Sequence, residues 1–347
     1  MDLYKATAAL TTANGVTGHE ASAADVAEKY FRMYTDDVWR DSSGNVFARI
    51  GNKKPCVMLI AHLDEIGMMV TDIEDNGMLR IRSVAGVDPR VLPGGEVVVF
   101  GKKPVSAVVG AVPPHLITGG TDVAYKMDEL MCDTGLTREQ VEENIAIGDV
   151  ITFALEEPLK LKNNCIAGKS LDDRALVACM LEVADILRNR VLNCSVVLCA
   201  STQEECGGPG ANVAAYSVNP DMAIVMDVTH APQPGTDPIS SVALNKVAIL
   251  MGGNIHPKMY EQLKQSATDQ NIDYETEVAM GFSGTDADFV QMSQGGIPTA
   301  VISPPVKYMH TTVELMSLDT LKNTAKVVAG FIEQIGEDWE ERLCLDD

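Results

Sequence analysis

The chain has 347 residues, 46% of them hydrophobic, with 49 acidic against 27 basic side chains and a formal net charge of −22. That supplies a sizeable core and length for about two domains, while so acidic a surface repels nucleic-acid phosphates and anionic membranes. No apolar run approaches the ~18 residues of a membrane span, and Met1-Asp2-Leu3-Tyr4-Lys5 lacks the basic start and apolar core of a secretory signal. The expectation is a cytoplasmic protein with neither nucleic acid nor membrane as a partner.

In chain order, Cys56–Ala61 is the first clear strand candidate. From Gly67 to Asn164 the pattern changes. Short β-rich pieces (Met78–Val84, Gly95–Phe100, Ala107–Val112, Val150–Phe153) are separated by turns such as Asp75-Asn76-Gly77 and Leu92-Pro93-Gly94-Gly95. A polar stretch from Thr118 to Asn144 reads as partly helical. Then a helix is expected from about Asp172 to Asn189, with Leu176, Met180, Val183 and Leu187 at helical spacing. Strands follow at Ser195–Thr202, Met222–Asp227 and Thr299–Ile302. A last helix starts near Ser317, a good N-cap, with Leu321, Ala325, Val328, Phe331, Ile332 and Ile335 on one side. This alternation predicts an α/β fold: a sheet-and-helix domain of residues 1–66 and 165–347, interrupted by a small β-barrel-like domain of residues 67–164. The eight cysteines contain no Cys-x-x-Cys pair and sit mostly in apolar runs, as reduced core cysteines do.

Five segments combine His, Asp and Glu, each near a predicted strand end: Ala61-His62-Leu63-Asp64-Glu65, Leu171-Asp172-Asp173-Arg174, Gln203-Glu204-Glu205, Met226-Asp227 and Tyr308-Met309-His310. Sites in open α/β sheets form at the carboxyl ends of strands. Alone, each segment is ordinary, and an Asp-Asp pair at a helix start is a routine terminal charge. Together, imidazole and carboxylate donors suit zinc, cobalt or manganese, whereas a thiolate set would suit a structural zinc site.

These segments resemble those of the M42 metallopeptidases, two-metal aminopeptidases of glutamyl, leucyl or lysyl type, some of which carry endoglucanase or cellulase labels. The resemblance runs through Gly15-Val16-Thr17-Gly18-His19-Glu20, Asp41-Ser42-Ser43-Gly44-Asn45, Pro113-Pro114-His115-Leu116, Gly168 to Arg174, Asp227-Val228-Thr229-His230-Ala231 and Ser283-Gly284-Thr285-Asp286-Ala287. It implies an α/β/α sandwich of the zinc-peptidase type with the inserted β domain. It further implies that His62 and Asp227 hold one divalent ion, that Glu205 and His310 hold a second, and that Asp172 bridges the two. Glu204 would be the general base, Asp64 would orient the His62 imidazole, and the Asp172–Asp173 peptide would be cis. Zinc or cobalt is the expected metal, with manganese as an alternative, and the substrates are peptides with a free N-terminus. Relatives pair through the inserted domain and build dodecamers, so a homo-oligomer is expected.

Two local departures bear on specificity rather than on ligands. Cys206-Gly207-Gly208-Pro209-Gly210 stands where many relatives carry an aliphatic residue and an Arg, and Thr311-Thr312 replaces a usual Ser-Pro. The competing readings are another bimetallic amidohydrolase (dipeptidase, carboxypeptidase or deacylase), a glycoside hydrolase, and a non-catalytic scaffold. A glycosidase needs only two carboxylates, which leaves the His and bridging Asp residues unexplained.

Overall fold

The strands Cys56–His62, Ser195–Ser201, Met222–Met226 and Thr299–Ser303 are buried at every residue, the fate of uninterrupted aliphatic runs when both sheet faces are covered. They run parallel at the centre of an eight-stranded sheet. Its order is Val38–Arg40, Val46–Ile50, Ser195–Ser201, Cys56–His62, Met222–Met226, Thr299–Ser303, Val247–Gly252 and Tyr274–Ala279. The structure is a computed structural model and describes residues 1–116 and 124–345. Each predicted strand of this sheet ends within one residue of its expected position.

The helix Leu171–Leu187 is buried well beyond the Leu176–Leu187 stripe, because helices Leu3–Thr11 and Leu318–Glu333 flank it while it packs on strand Cys56–His62. The last helix begins as its sequence suggests, with the Ser317 hydroxyl accepting from the Thr320 amide.

Residues 67–153 contribute a closed six-stranded barrel. Its circuit is Gly67–Ile73, Leu79–Val84, Met131–Asp133, Pro104–Val109, Glu96–Phe100 and Val150–Phe153. Closure leaves no free strand edge, and a separate apolar core fills it, including Met68, Leu79, Ile81, Val99, Cys132 and Ile151. Two of these strands have no clear signal in the sequence. Gly67–Ile73 loses its alternation at a bulge between Val70 and Asp72, and Met131–Asp133 spans three residues inside the polar stretch. The expected strand Ala107–Val112 lies earlier, at Pro104–Val109. The polar stretch does hold a helix, Arg138–Asn144, started by a capping box between Thr137 and Gln140; residues 118–123 of the stretch lie outside the described residues.

Barrel and sheet meet at Glu65. Its fully buried carboxylate accepts from the Gly15 amide at 3.1 Å, the Thr152 hydroxyl of the barrel at 3.1 Å and the Lys169 ammonium at 2.5 Å, and also from the Ser170 hydroxyl. Arg174 lies 3.3 Å away and ties this cluster to the carbonyls of Leu10, Ala13 and Leu63. All eight cysteines are free. Among the described residues no helix is long and apolar enough to cross a membrane.

Candidate metal centre

The parallel strands deliver their carboxyl ends to one place. His62 is the last residue of its strand, Asp227 follows Met226, and Gln203-Glu204-Glu205 follows Ser201 and Thr202. Asp172 enters from the start of the Leu171–Leu187 helix, where Asp172 and Asp173 have non-helical backbones and share a cis peptide. His310 comes from the turn after Pro305–Val306. Four non-glycine residues around these positions have left-handed backbones: Ser170 (φ 57°), Gln203 (φ 60°), Tyr308 (φ 58°) and His310 (φ 62°). Such conformations are uncommon and cluster at functional sites. Here they turn the chain sharply so that side chains converge.

The convergence is tight. His62 Nε2 lies 3.1 Å from Asp172 Oδ1, while His310 Nε2 lies 3.4 Å from Asp172 Oδ2 and 3.3 Å from Glu205 Oε1. Ligand atoms of His62, Asp172 and Glu205 fall within 4.8 Å of one another, as do those of His62, Asp173 and Asp227. With Glu204 beside them, His62, Asp172, Glu205, Asp227 and His310 line one cavity of about 370 Å³.

Asp64 sits behind this wall. The strand stops at His62, so the two residues do not share a strand face. The chain turns instead, and Asp64 Oδ1 lies 3.4 Å from His62 Nδ1. Its carboxylate also accepts from the Thr17 hydroxyl at 2.8 Å and from the Glu204 and Glu205 amides at 3.0 and 3.2 Å. One buried carboxylate therefore positions an imidazole and the loop that carries both glutamates.

Three further residues act behind the cavity lining, on the segments or rings that form it. Buried Glu314 clamps two ligand-bearing segments by accepting from the Asp172 amide at 3.0 Å and the His310 amide at 2.9 Å. Asp286, from the Ser283–Ala287 motif, accepts from the Ser201 hydroxyl at 2.5 Å. Gly86, in the barrel loop after Leu79–Val84, approaches so closely that a Cβ there would stand 2.6 Å from His310 Nδ1. Glu314 and Gly86 carry no local sequence signal, since their partners are distant in the chain. His115 lies on an exposed turn and does not line the cavity, whereas His230 does.

The electrostatics are one-sided. No lysine or arginine is among the described residues lining the cavity. Burial and the surrounding carboxylates Asp227, Asp286 and Glu205 push the Glu204 carboxyl up to about 9. Burial drives Asp227 and Asp173 well above the usual carboxylate range, with other carboxylates adding to it. Hydrogen bonds to Asp172 and Glu205 lift His310 to about 11. Two buried carboxylate oxygens, Asp173 Oδ1 and Asp286 Oδ1, have no hydrogen-bond partner. Buried carboxylates crowded together without a compensating cation are costly, and imidazole with carboxylate oxygen is a good donor set for zinc, cobalt or manganese. The residues fit divalent metal.

The family model "M42 glutamyl aminopeptidase" matches residues 44–327. The chain belongs to the M42 peptidase family. Lysyl aminopeptidase of Pyrococcus furiosus is 34% identical over 328 residues, covering 92% of this chain and 94% of that protein. In structure, an aminopeptidase from Desulfurococcus kamchatkensis superposes with a TM-score of 0.90 at 30% identity, covering 99% of each chain. The TET1 peptidase of Pyrococcus horikoshii, which assembles into a tetrahedron or a large octahedral shell, has a TM-score of 0.85 at 26% identity and covers 96% of this chain. Thus the M42 resemblance extends across both the sheet and the barrel.

Proposed function

We propose that the chain is a two-metal aminopeptidase that removes residues one at a time from the free N-terminus of peptides. The observation that carries this is the meeting of His62, Asp172, Glu205, Asp227 and His310 around a cavity with Glu204 at its wall. In this reading His62 and Asp227 would hold one ion and Glu205 and His310 the other, and Asp172, with one oxygen toward each imidazole, would serve both. Bound there, two divalent ions supply Lewis acidity toward a peptide carbonyl and a nucleophilic water at neutral pH.

The chain's own groups do the rest. Glu204 accepts a proton from the attacking water and returns it to the leaving amine. Without metal its carboxyl is driven upward by burial and by the carboxylates around it, and two bound cations would lower it toward the range of a base that starts ionised. Asp64 positions the His62 ring and the Glu204–Glu205 backbone. Asp173 stands close enough to His62 and Asp227 to adjust the first ion's surroundings.

The layering is that of a zinc-peptidase α/β/α sandwich, with residues 67–164 as an inserted unit. That unit exposes Val108, Val112, Leu116, Ile147 and Leu155, an apolar surface suited to pairing subunits into dimers and then a dodecamer. Eight free thiols match a reducing, cytoplasmic setting. The test is a time course on an N-terminally free peptide followed by mass spectrometry with zinc, cobalt or manganese. Sequential loss from the amino end is expected, whereas shortening from the carboxyl end places the chain among carboxypeptidases.

A further inference from the structure

One carboxylate in the cavity has no part in the metal centre or in proton transfer. Glu277 belongs to the edge strand Tyr274–Ala279 and lines the same cavity as His62 and Glu205. It is half-buried, and its Oε1 accepts from the Thr229 hydroxyl at 2.6 Å. Thr229 lies two residues beyond Asp227, so the segment that brings Asp227 to the centre also fixes Glu277 at the cavity wall. The cavity has an apolar side as well, formed by Val228 and Met309.

We infer that Glu277 anchors the side chain of the substrate's first residue and selects a cationic one, lysine or arginine. This rests on the aminopeptidase reading above. A lysine or arginine side chain is a methylene stem with a charged tip. Val228 and Met309 suit the stem, and Glu277 suits the tip through a charge-assisted hydrogen bond. Burial makes an unpaired carboxylate costly, and a cation relieves that cost. An acidic first residue would meet Glu277 with no lysine or arginine among the described lining residues to offset it. A leucine would leave the carboxylate buried against hydrocarbon.

The experiment compares lysyl, arginyl, leucyl and glutamyl p-nitroanilides with the metal-loaded enzyme and with Glu277→Gln, which keeps the size and the Thr229 hydrogen bond. Wild type should give kcat/KM for lysyl and arginyl substrates at least tenfold above leucyl, with glutamyl lowest. In the variant the lysyl-to-leucyl ratio should fall at least tenfold. A wild-type preference for leucyl or glutamyl substrate overturns the assignment. So does an equal loss on all substrates, which would mean that Glu277 holds the α-amine or supports the fold. Calorimetry with free lysine and norleucine supplies a readout independent of turnover. Tighter lysine binding that disappears in Glu277→Gln, in a protein that cleaves no anilide or peptide, would uphold the pocket and defeat the peptidase reading.

Discussion

The same two stretches of chain, residues 62–65 and 169–174, build two buried charged clusters with opposite character. Around Glu65 the carboxylate is fully paired: Lys169 and Arg174 face it, and it also receives two hydroxyls and an amide. Burial raises the Glu65 carboxyl, yet Arg174 and Lys169 overcome this and hold it down at about 2. A few residues away, Asp172, Asp173, Glu204, Glu205 and Asp227 crowd together with only imidazoles for company, and most of these carboxyls are driven upward. A carboxylate paired with cations from its own chain makes a joint between barrel and sheet. Carboxylates crowded together without such cations make a place for an external one. Net burial and charge density alone would not separate the two; the pairing does.

The largest effect should come from within the unbalanced cluster. Glu204→Gln should lower turnover by roughly 10²–10⁴-fold while bound metal stays at the wild-type level. Glu205→Gln should instead lose metal and recover partly in excess cation. Rates measured beside metal content distinguish the pair, and the opposite pattern reverses their roles.

Stability should move in opposite directions in the two clusters. Glu65→Ala strands Lys169 and Arg174 and should cost about 3–5 kcal/mol in urea unfolding. Asp227→Asn removes a carboxyl whose ionised form burial disfavours, so the metal-free protein should gain on the order of 1 kcal/mol near neutral pH. If both substitutions destabilise the metal-free chain equally, the contrast fails.

Acid should expose the Glu65 cluster separately. Because the folded Glu65 pKa lies below its ordinary value of 4.5, its contribution is present above pH 4.5 and is lost as pH falls toward 2. The size is roughly 3 kcal/mol from the shift, and Glu65→Gln should flatten that part of the stability profile.

A smaller effect is expected where the barrel touches the centre. Gly86→Ala places a methyl group against the His310 ring and should weaken the affinity of one ion roughly tenfold, with the barrel still folded by circular dichroism. Unchanged affinity at both ions would mean that the ring has room to move.

The four central strands of the sheet were legible in the sequence as continuous aliphatic runs, and the last helix by its strong cap; the outer strands Val38–Arg40, Val46–Ile50, Val247–Gly252 and Tyr274–Ala279 were not expected. The barrel was less legible: Met131–Asp133 is too short to carry a pattern, and the bulge after Val70 breaks the alternation of Gly67–Ile73. In the site, His62, Asp172, Glu204, Glu205, Asp227 and His310 could be singled out because they follow strand ends or resemble a known motif. Glu314 and Gly86 could not, because what they do depends on approach across the chain: one accepts two distant amides, and the other leaves space for a ring. Asp64 could be singled out, but its multiple contacts could not, because they require the turn after His62.

Metal stoichiometry is the most direct test of the central claim. Chelated protein dialysed against zinc or cobalt and measured by elemental mass spectrometry should bind two ions per chain, and Asp172→Asn should weaken both. Saturating metal should raise unfolding stability by about 2.7 kcal/mol per site at one hundred times Kd. A chain that binds no ion at these residues, or that cleaves peptides at full rate after thorough stripping, contradicts the account.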